Sequence, residues 1–267
     1  MAPMLRALPF VPSPPLVNVV RLSGMIAAGP RGLNDQVVAP LLERAFKRGS
    51  PKAVALVVNS PGGSPAQSSL IGARVRRLAE EKEVPTVAFV EDVAASGGYW
   101  LAAACDEIFV DQTSILGSIG VISAGFGFPQ AIAKIGVERR VYTAGQSKSF
   151  LDPFQPEKED DVARLRAIQD HVHGRFIDYV KDRRGAKLPE GRDLFTGDVW
   201  VGRQAVEVGL ADGEGHLVPE MKKRYGDKVR FNVFGPKRGF LKRLGLDAAA
   251  AIPEAIEERA LWARFGL

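Results

Sequence analysis

The stretch AASGGY, residues 94–99, places a serine where a catalytic nucleophile could act. Ser96 stands between an apolar run and two glycines, Gly97 and Gly98, which are poor helix formers. A serine at a helix start often serves only as an N-cap, and the residues alone leave that alternative open. The glycines favour catalysis, because they would let a substrate carbonyl approach Ser96 and let the Gly97 N–H stabilise an oxyanion.

A serine hydroxyl needs a base to become a nucleophile, and here a lysine is a better candidate than a histidine. His171 and His173 fall in a long charged segment and His216 in a DGEGH turn, so we do not expect a Ser-His-Asp triad. Lys148, in GQSKSFLDPF, has apolar neighbours, and burial among them would lower the pKa of its ammonium group. We expect Asp152 to point elsewhere, because a facing carboxylate would raise that pKa. A plain surface lysine is the alternative.

A second glycine pair stands in VVNSPGGSP, residues 57–65. Gly62 and Gly63 follow a predicted strand and precede a predicted helix, where backbone N–H groups favour a bound oxyanion. An ordinary Pro-Gly-Gly turn explains the same residues, so this segment indicates a substrate-binding loop only together with Ser96.

These segments must be held by a larger framework, which the hydrophobic pattern indicates. Short β-branched runs alternate with longer helical patterns, which is typical of an α/β fold with a largely parallel sheet flanked by helices. Sites in such sheets lie at the carboxyl ends of the strands. The predicted strands are 16–22, 53–59, 85–90, 106–110 and 138–143.

The helical patterns carry clear start signals. Asn34 is a predicted N-cap for the first helix, and Ser64 for the second, where Pro65 takes the first helical position and Gln67 completes a capping box. The third pattern has acids at its start and cations at its end, as the helix dipole favours. The predicted helices are 34–48, 62–82 and 156–184.

Composition excludes several classes of protein. With 46% hydrophobic and 25% charged residues, the 267-residue chain has an ordinary globular composition. The net charge of +5 is scattered, so we expect no nucleic-acid partner. Cys105 is the sole cysteine and predicts a buried, inert thiol. Prolines between Pro3 and Pro15 would break a signal peptide, and no apolar run is long enough to span a bilayer, so we expect a cytoplasmic protein.

We divide the chain into three parts. A Pro-rich segment occupies residues 1–15, a catalytic domain residues 16–234, and a basic, amphipathic extension residues 235–267. In the extension, PKRGFLKRLGL (236–246) alternates cations with apolar residues, a pattern compatible with peripheral contact with the inner membrane. A solvated terminal helix that packs on a partner is an open alternative.

Four motifs together resemble a known family. NSPGG, AASGGYWLAAACDEIFVDQTSILGSIGV, GQSKSFLDPF and GDVWVGRQAVEVGLADGEG occur in this order. They are similar to the S49 family of serine peptidases, the group of signal peptide peptidase A and SohB, and the similarity runs from about residue 16 to about residue 220.

The resemblance implies a Ser-Lys dyad on a fold related to Clp protease and crotonase. Ser96 stands in the position of the nucleophile, Lys148 in that of the general base, and Ser118 in that of a serine that hydrogen-bonds the lysine. Gly63 and Gly97 match the backbone oxyanion donors. The chain shows neither a P-loop nor clustered metal ligands, and we expect no cofactor.

Further expectations follow from the family. Its members form ring- or dome-shaped oligomers with interior active sites, so we expect a homo-oligomer that cleaves unfolded polypeptides or released signal peptides. Membrane-bound relatives carry an N-terminal anchor, and we expect none in this sequence. The familiar motif has an aromatic residue just before the lysine, where this chain has Ser147. The segment 125–137 is a candidate wall for apolar substrate side chains, with core packing as the alternative.

Two other functions stay open. A crotonase-like acyl-CoA enzyme would also use a glycine-rich oxyanion loop, but it would need a catalytic carboxylate and make no demand on Lys148. A non-catalytic scaffold that partners a membrane protein would be natural if the Ser-Lys pair were broken, whereas both residues are present.

Overall fold

The computed structural model describes residues 13–29, 32–145, 147–235 and 252–267, the last range with side chains from residue 258 onward. The chain divides into two compact units. Unit 1 comprises the residues up to Ile119 and those from Tyr179 onward, and unit 2 comprises Gly120–Asp178.

Unit 1 is built on a mostly parallel sheet. In the described part of the chain, eight strands join in the order β6-β5-β3-β2-β1-β8, with β4 pairing β3 and β7. The β5–β6 pair is antiparallel and the remaining pairs are parallel. The strands are β1 Leu16–Ser23, β2 Ala53–Ser60, β3 Thr86–Ala95, β4 Glu107–Val110, β5 Ile115–Gly117, β6 Val199–Val201, β7 Gly213–Glu214 and β8 Arg230–Phe234.

The long strand β3 has two successive partners on one side. Its first half, Val87–Val90, pairs with β4, and its end, Val93–Ala95, pairs with β5. The carboxyl ends of β3 and β5 are therefore neighbours, and each is followed directly by a serine.

The helices of the described residues include the three that the patterns predict. The third, α5, begins in unit 2, and its residues from Tyr179 onward belong to unit 1. The helices are α1 Asp35–Lys47, α2 Pro65–Lys82, α3 Gly97–Ala103, α4 Pro129–Lys134, α5 Glu159–Arg184, α6 Arg203–Glu207, α7 Leu217–Tyr225 and α8 Ile252–Ala263.

The predicted helix starts are mostly confirmed. Asn34 Oδ1 accepts the Val37 N–H at 3.0 Å, and Ser64 Oγ accepts the Gln67 N–H at 3.4 Å. The second half of the capping box is wrong, because Gln67 Oε1 accepts the Asp35 N–H at 2.9 Å instead and so joins α2 to the start of α1.

The core of unit 1 lies on both sides of the sheet. On one side, valines and alanines of β1–β3 pack with Met221 of α7 and with Val229. On the other, side chains of α1, α2 and α3 are buried, among them Leu42, Ile71 and Leu101. Each fully buried aliphatic side chain contributes about 1.5–3 kcal/mol to the free energy of unfolding, which is enough to offset local strain elsewhere in the unit.

Cys105 is buried as predicted, and burial raises the pKa of its thiol.

Unit 2 is organised differently. The predicted strand at 138–143 is wrong, since these residues form an exposed loop. Its charged side chains form local ion pairs, Arg139 with Asp152 and Arg140 with Glu138, and do not alternate with a buried face.

Within the described ranges, no helix is both long enough and apolar enough to cross a membrane.

Candidate active site

Ser96 occupies a strained turn between β3 and α3. Its backbone has φ 51° and ψ −122°, a conformation that non-glycine residues rarely adopt. Such a residue costs about 1–3 kcal/mol and persists only where its surroundings enforce it, typically at functional sites. Its side chain makes no capping hydrogen bond to α3. The N-cap alternative is therefore wrong, although Ser96 stands at the first position before the helix.

The neighbouring strands fix this turn through the backbone. The Ser96 N–H donates to Gly117 O at 2.7 Å, directly after the Ala95–Gly117 pair of the β3–β5 ladder. The Trp100 N–H donates to Ser96 O at 3.1 Å, which starts α3. Both the backbone N–H and the backbone C=O of Ser96 are thus hydrogen-bonded, and its side chain is half-buried at the strand end.

Ser118 sits at the adjacent strand end with the same unusual backbone. Its φ is also 51°, it is 9% exposed, and its N–H donates to Asp198 O at 2.7 Å, just before β6. The structure therefore brings two of the predicted site residues, Ser96 and Ser118, to neighbouring positions on one edge of the sheet.

Gly62 lies directly against the Ser96 turn. A Cβ atom at this position would lie 2.8 Å from the Ser96 Cβ and 2.9 Å from the Gly97 nitrogen, so any side chain would collide with the turn. The Gly62 N–H already has a hydrogen-bond partner, since it donates to Ser60 Oγ at 3.2 Å. Gly62 therefore allows the close approach of its loop rather than offering an oxyanion donor.

Gly63 and Gly97 are both held in this loop region. Gly63, with φ 137°, forms a parallel bridge with Ile26, and the Ser64 N–H donates to Ile26 O at 2.7 Å. A Cβ at Gly97 would run into Ser68 Oγ and lie 3.1 Å from Ile26 Cδ1. Five of the six predicted site residues thus lie together in unit 1, while Lys148 belongs to unit 2.

Several residues that shape this region carry no recognisable sequence signal. Ser60 Oγ donates to Gly24 O at 2.7 Å while it accepts the Gly62 N–H, and it thereby joins the ends of β1 and β2. Ser68 is fully buried under Gly97. Serines are common in loops and at helix starts, so only the folded structure distinguishes these two.

The Lys148 segment of unit 2 is a run of tight turns. The Lys148 N–H donates to Gly145 O at 3.2 Å, and the Leu151 N–H donates to Asp161 Oδ2 at 3.3 Å. Leu151 has φ 50°, so this segment contains a strained residue as well. The side chain of Lys148 is exposed, and the predicted burial among apolar neighbours is therefore absent from the single chain.

Asp152 is engaged away from the lysine, in agreement with the prediction. Its carboxylate accepts the Phe154 N–H at 3.0 Å and pairs with Arg139 at 3.1 Å. These two donors hold the pKa of Asp152 below its ordinary value.

His216 also has a partner, because its Nε2 lies 2.9 Å from Asp111 Oδ2. Hydrogen bonds from Thr113 and from His216 lower the pKa of Asp111.

The segment 125–137 is exposed, which makes the core-packing alternative wrong for most of its apolar residues. Phe126 is 82% and Ile135 74% exposed. The rings of Phe126, Phe128 and Phe154 form a chain of contacts, with centroids 6.3 and 5.7 Å apart. Phe126 and Phe128 also line a cavity of about 830 Å³ inside unit 2.

The comparisons with known proteins identify the class of protein to which this fold belongs. The family model "Peptidase family S49" matches residues 78–224, more than half of the chain. The protein belongs to peptidase family S49.

Two relatives contain a region similar to this chain within longer proteins. The chain is 49% identical over 271 residues to a protein of Brucella melitensis named Na(+)/H(+) antiporter NhaA, which covers 94% of this chain and 37% of that protein. It is 30% identical over 183 residues to a putative signal peptide peptidase SppA of Enterococcus faecium, covering 68% of this chain and 53% of the relative. The chain thus spans between about a third and about half of these relatives.

A solved structure supports the fold. A mutant of a membrane-bound stomatin-specific protease, crystallised with a substrate peptide, matches with a TM-score of 0.51 at 15% identity, covering 88% of this chain and 97% of that chain. The predicted Clp protease/crotonase-like α/β fold is confirmed.

Proposed function

We propose that this protein is a serine endopeptidase with a Ser-Lys dyad, formed by Ser96 and Lys148. The observation that carries the proposal is the backbone of Ser96, held at φ 51° with a hydroxyl that does not cap its helix. Strain of this kind at a strand-to-helix turn is typical of a nucleophile that must project towards a substrate.

The proposed reaction uses groups of the chain and water. Neutral Lys148 Nζ accepts the proton of Ser96 Oγ while this oxygen attacks the peptide carbonyl carbon. The N–H groups of Gly63 and Gly97 stabilise the tetrahedral oxyanion. The lysinium then protonates the leaving amine, and water, with Lys148 again as the base, hydrolyses the acyl-enzyme.

Ser118 would orient the lysine. Its place at the end of β5, beside the end of β3, supports this role, because a hydroxyl there is near Ser96 without being the nucleophile. Its own backbone is fixed by the bond to Asp198 O, so the hydroxyl would have a defined direction.

The exposure of Lys148 bears on assembly. A lysine acts as a base only in its neutral form, and burial is the usual condition that favours this form. We infer that a homo-oligomer, a ring or a dome, covers this segment. The exposed apolar side chains of unit 2 support that inference, since such patches mark protein interfaces.

The substrates would be extended chains. An active site inside an oligomer admits unfolded polypeptides or released signal peptides and excludes folded proteins. The aromatic side chain of Phe128, which lines the cavity of unit 2, suits apolar substrate residues. We therefore expect cleavage after apolar side chains.

Hydrolysis of fluorogenic peptides with apolar residues before the scissile bond tests the proposal. Ser96→Ala and Lys148→Ala should each lower kcat by about 10³-fold or more, as removal of a nucleophile or its base does in other serine hydrolases. Lys134→Ala, a change at another lysine of unit 2, should leave kcat unchanged. Activity that survives in folded Ser96→Ala would refute the proposal.

We further expect the dyad to be completed within one chain, because one chain contains both residues. Oligomers mixed from Ser96→Ala and Lys148→Ala protomers test this expectation. The mixture should stay inactive, whereas recovered activity would show that the lysine comes from a partner protomer.

A second proposal concerns location. The relative named as a sodium–proton antiporter contains a region like almost the whole of this chain. We propose that this protein works in the cytoplasm beside such a transporter, in peripheral contact with the inner membrane. The basic stretch 236–246, which would make that contact, lies outside the described residues.

Co-purification with a tagged antiporter from crosslinked membranes tests this proposal. Ser96→Ala should be retained equally well, because association would not need catalysis. If the chain co-purifies with the antiporter but never cleaves a peptide, the scaffold function replaces the peptidase function. If the chain stays in the supernatant when membranes are sedimented, at every salt concentration tested, the proposed location is wrong.

A further inference from the structure

The helix that carries the nucleophile turn is too weak to hold that turn by itself. Helix α3 has seven residues and begins with Gly97 and Gly98. Short helices are marginal in water, and glycine is a poor helix former. The strain at Ser96 would therefore relax unless contacts from elsewhere hold both ends of α3 in place.

The far end of α3 is held by the last turns of α5. Arg183 Nε donates to Ala103 O at 3.0 Å, and Arg183 Nη2 donates to Cys105 O at 2.9 Å. The final carbonyls of a helix lack donors within the helix, and a cation there also interacts favourably with the helix dipole. One planar guanidinium thus satisfies two carbonyls and fixes their relative position.

Tyr179, one turn earlier on α5, makes a second contact. Its hydroxyl donates to Trp100 O at 3.2 Å, and its ring stacks on Trp100 with centroids 4.7 Å apart. Arg76 of α2 donates to Ala104 O at 3.4 Å and to Asp106 Oδ1 at 2.6 Å. Donors from two helices therefore converge on the carbonyl end of α3.

We infer that Arg183 and Tyr179 are positioning residues for the Ser96 turn, an inference that depends on the proposed function. Their hydrogen bonds go to the carbonyls of Trp100, Ala103 and Cys105 and not to Ser96. By fixing the carbonyl end of α3, they keep its amino end, with Ser96 Oγ and the Gly97 N–H, in the geometry that catalysis needs. A displacement of about 1 Å at a reacting group can cost about 100-fold in rate.

The test uses Arg183→Met, which keeps a long side chain and removes the donors, and Tyr179→Phe, which removes one hydroxyl. Arg183→Met should lower kcat by about 10- to 100-fold with KM within twofold, because the geometry of the nucleophile changes and substrate binding does not. Tyr179→Phe should show a smaller decrease in kcat. Arg183→Lys, which can reach one carbonyl, should recover part of the activity.

Two controls separate positioning from stability. Arg175→Met, on the same helix at an exposed pair with Asp178, should leave kcat unchanged. Val229→Ala, in the core on the α7 side of the sheet, should lower the Tm without a matching loss of kcat at temperatures where the protein is folded. Equal losses of kcat in Val229→Ala and Arg183→Met, at equal losses of Tm, would overturn the inference.

Hydrogen–deuterium exchange gives a measurement that does not need peptidase activity. Arg183→Met should speed exchange of the amides from 96 to 105 and leave those of β2 protected. If Arg183→Met exchanges faster while the wild type cleaves no peptide, the positioning role of Arg183 stands and the proposed function is refuted. Unchanged exchange and unchanged kcat in an active protein would overturn the positioning role alone.

Discussion

The two halves of the proposed dyad lie in regions of opposite character. The turn of Ser96 in unit 1 is packed against Gly62 and hydrogen-bonded to the end of β5, and its helix is held by partly buried side chains of α5. The turn of Lys148 in unit 2 lies among exposed side chains and is stabilised by local hydrogen bonds and surface ion pairs. The surroundings of the proposed nucleophile are thus fixed by packing within unit 1, whereas those of the proposed base within unit 2 are open.

The largest combined effect on activity and stability should follow from adding a side chain at the tightly packed turn of unit 1. At Gly98 a Cβ atom would run into the carbonyl oxygen of Ser60, which is backbone and cannot turn away. Gly98→Ala should therefore displace the turn, lower kcat by about 100-fold and destabilise the fold by about 1–3 kcal/mol. Peptide hydrolysis and urea unfolding measure the two effects.

Gly174→Ala is the matched control in unit 2, where a Cβ would meet no atom within 4 Å. It should leave kcat unchanged and should not lower the free energy of unfolding, because alanine is favoured over glycine within helix α5. If the two variants behaved alike, the contrast between a packed and an open region would be lost.

The next effect concerns the buried charges of unit 1. Asp212 pairs with Arg184 at 2.7 Å, and the Arg184 side chain is 1% exposed. Burial opposes ionisation of Asp212, but hydrogen bonds from Arg184 and Lys187 outweigh it and lower the pKa of the carboxyl group. Asp212→Asn leaves the arginine buried without its partner and should destabilise the protein by about 3 kcal/mol at pH 7.

The sign of the pH dependence follows from the lowered pKa. Ionised Asp212 contributes its full stability above its ordinary pKa of about 3.9, and the contribution disappears as the pH falls through the lower folded pKa. The difference in Tm between wild type and Asp212→Asn should thus be largest at neutral pH and shrink below pH 4. Asp178→Asn, at the exposed pair with Arg175, should shift the stability by less than about 0.5 kcal/mol at any pH.

A smaller effect should reveal the strain of the Ser96 turn. Glycine tolerates φ 51° and alanine does not, so Ser96→Gly should be more stable than Ser96→Ala by about 0.5–1 kcal/mol, although both are inactive. Thermal unfolding of the two variants gives the comparison. Equal stability would mean that the turn stores no strain.

The smallest effect on stability is expected in unit 2. Phe126 is 82% exposed, so Phe126→Ser should leave the Tm of the chain nearly unchanged. If the exposed apolar residues form the proposed interface, the same variant should lower the oligomeric state in analytical ultracentrifugation. An oligomer that persists unchanged in Phe126→Ser, and also in Ile135→Ser, would place the interface elsewhere.

Much of unit 1 could be predicted from local patterns. β-Branched runs predict four of its strands, and Asn34 and Ser64 correctly mark the starts of two helices, because these signals act within a few residues. The segment 138–143 resembled a strand by its residue types but has charged side chains that pair locally, and a strand forms only where another strand accepts its hydrogen bonds. The half-formed capping box failed for a similar reason, since Gln67 found a partner on another helix.

The sequence by itself determined the types of residue available for chemistry and their order: a serine before two glycines, a second glycine pair, and a lysine in a turn-rich segment. Tertiary structure decided which of them meet. The pairing of β3 with β5 puts Ser118 beside Ser96, and the distant residues Arg183 and Tyr179 reach the carbonyl end of α3. Such contacts depend on strand register and helix packing between residues far apart in the chain, and no local pattern of residue types encodes them.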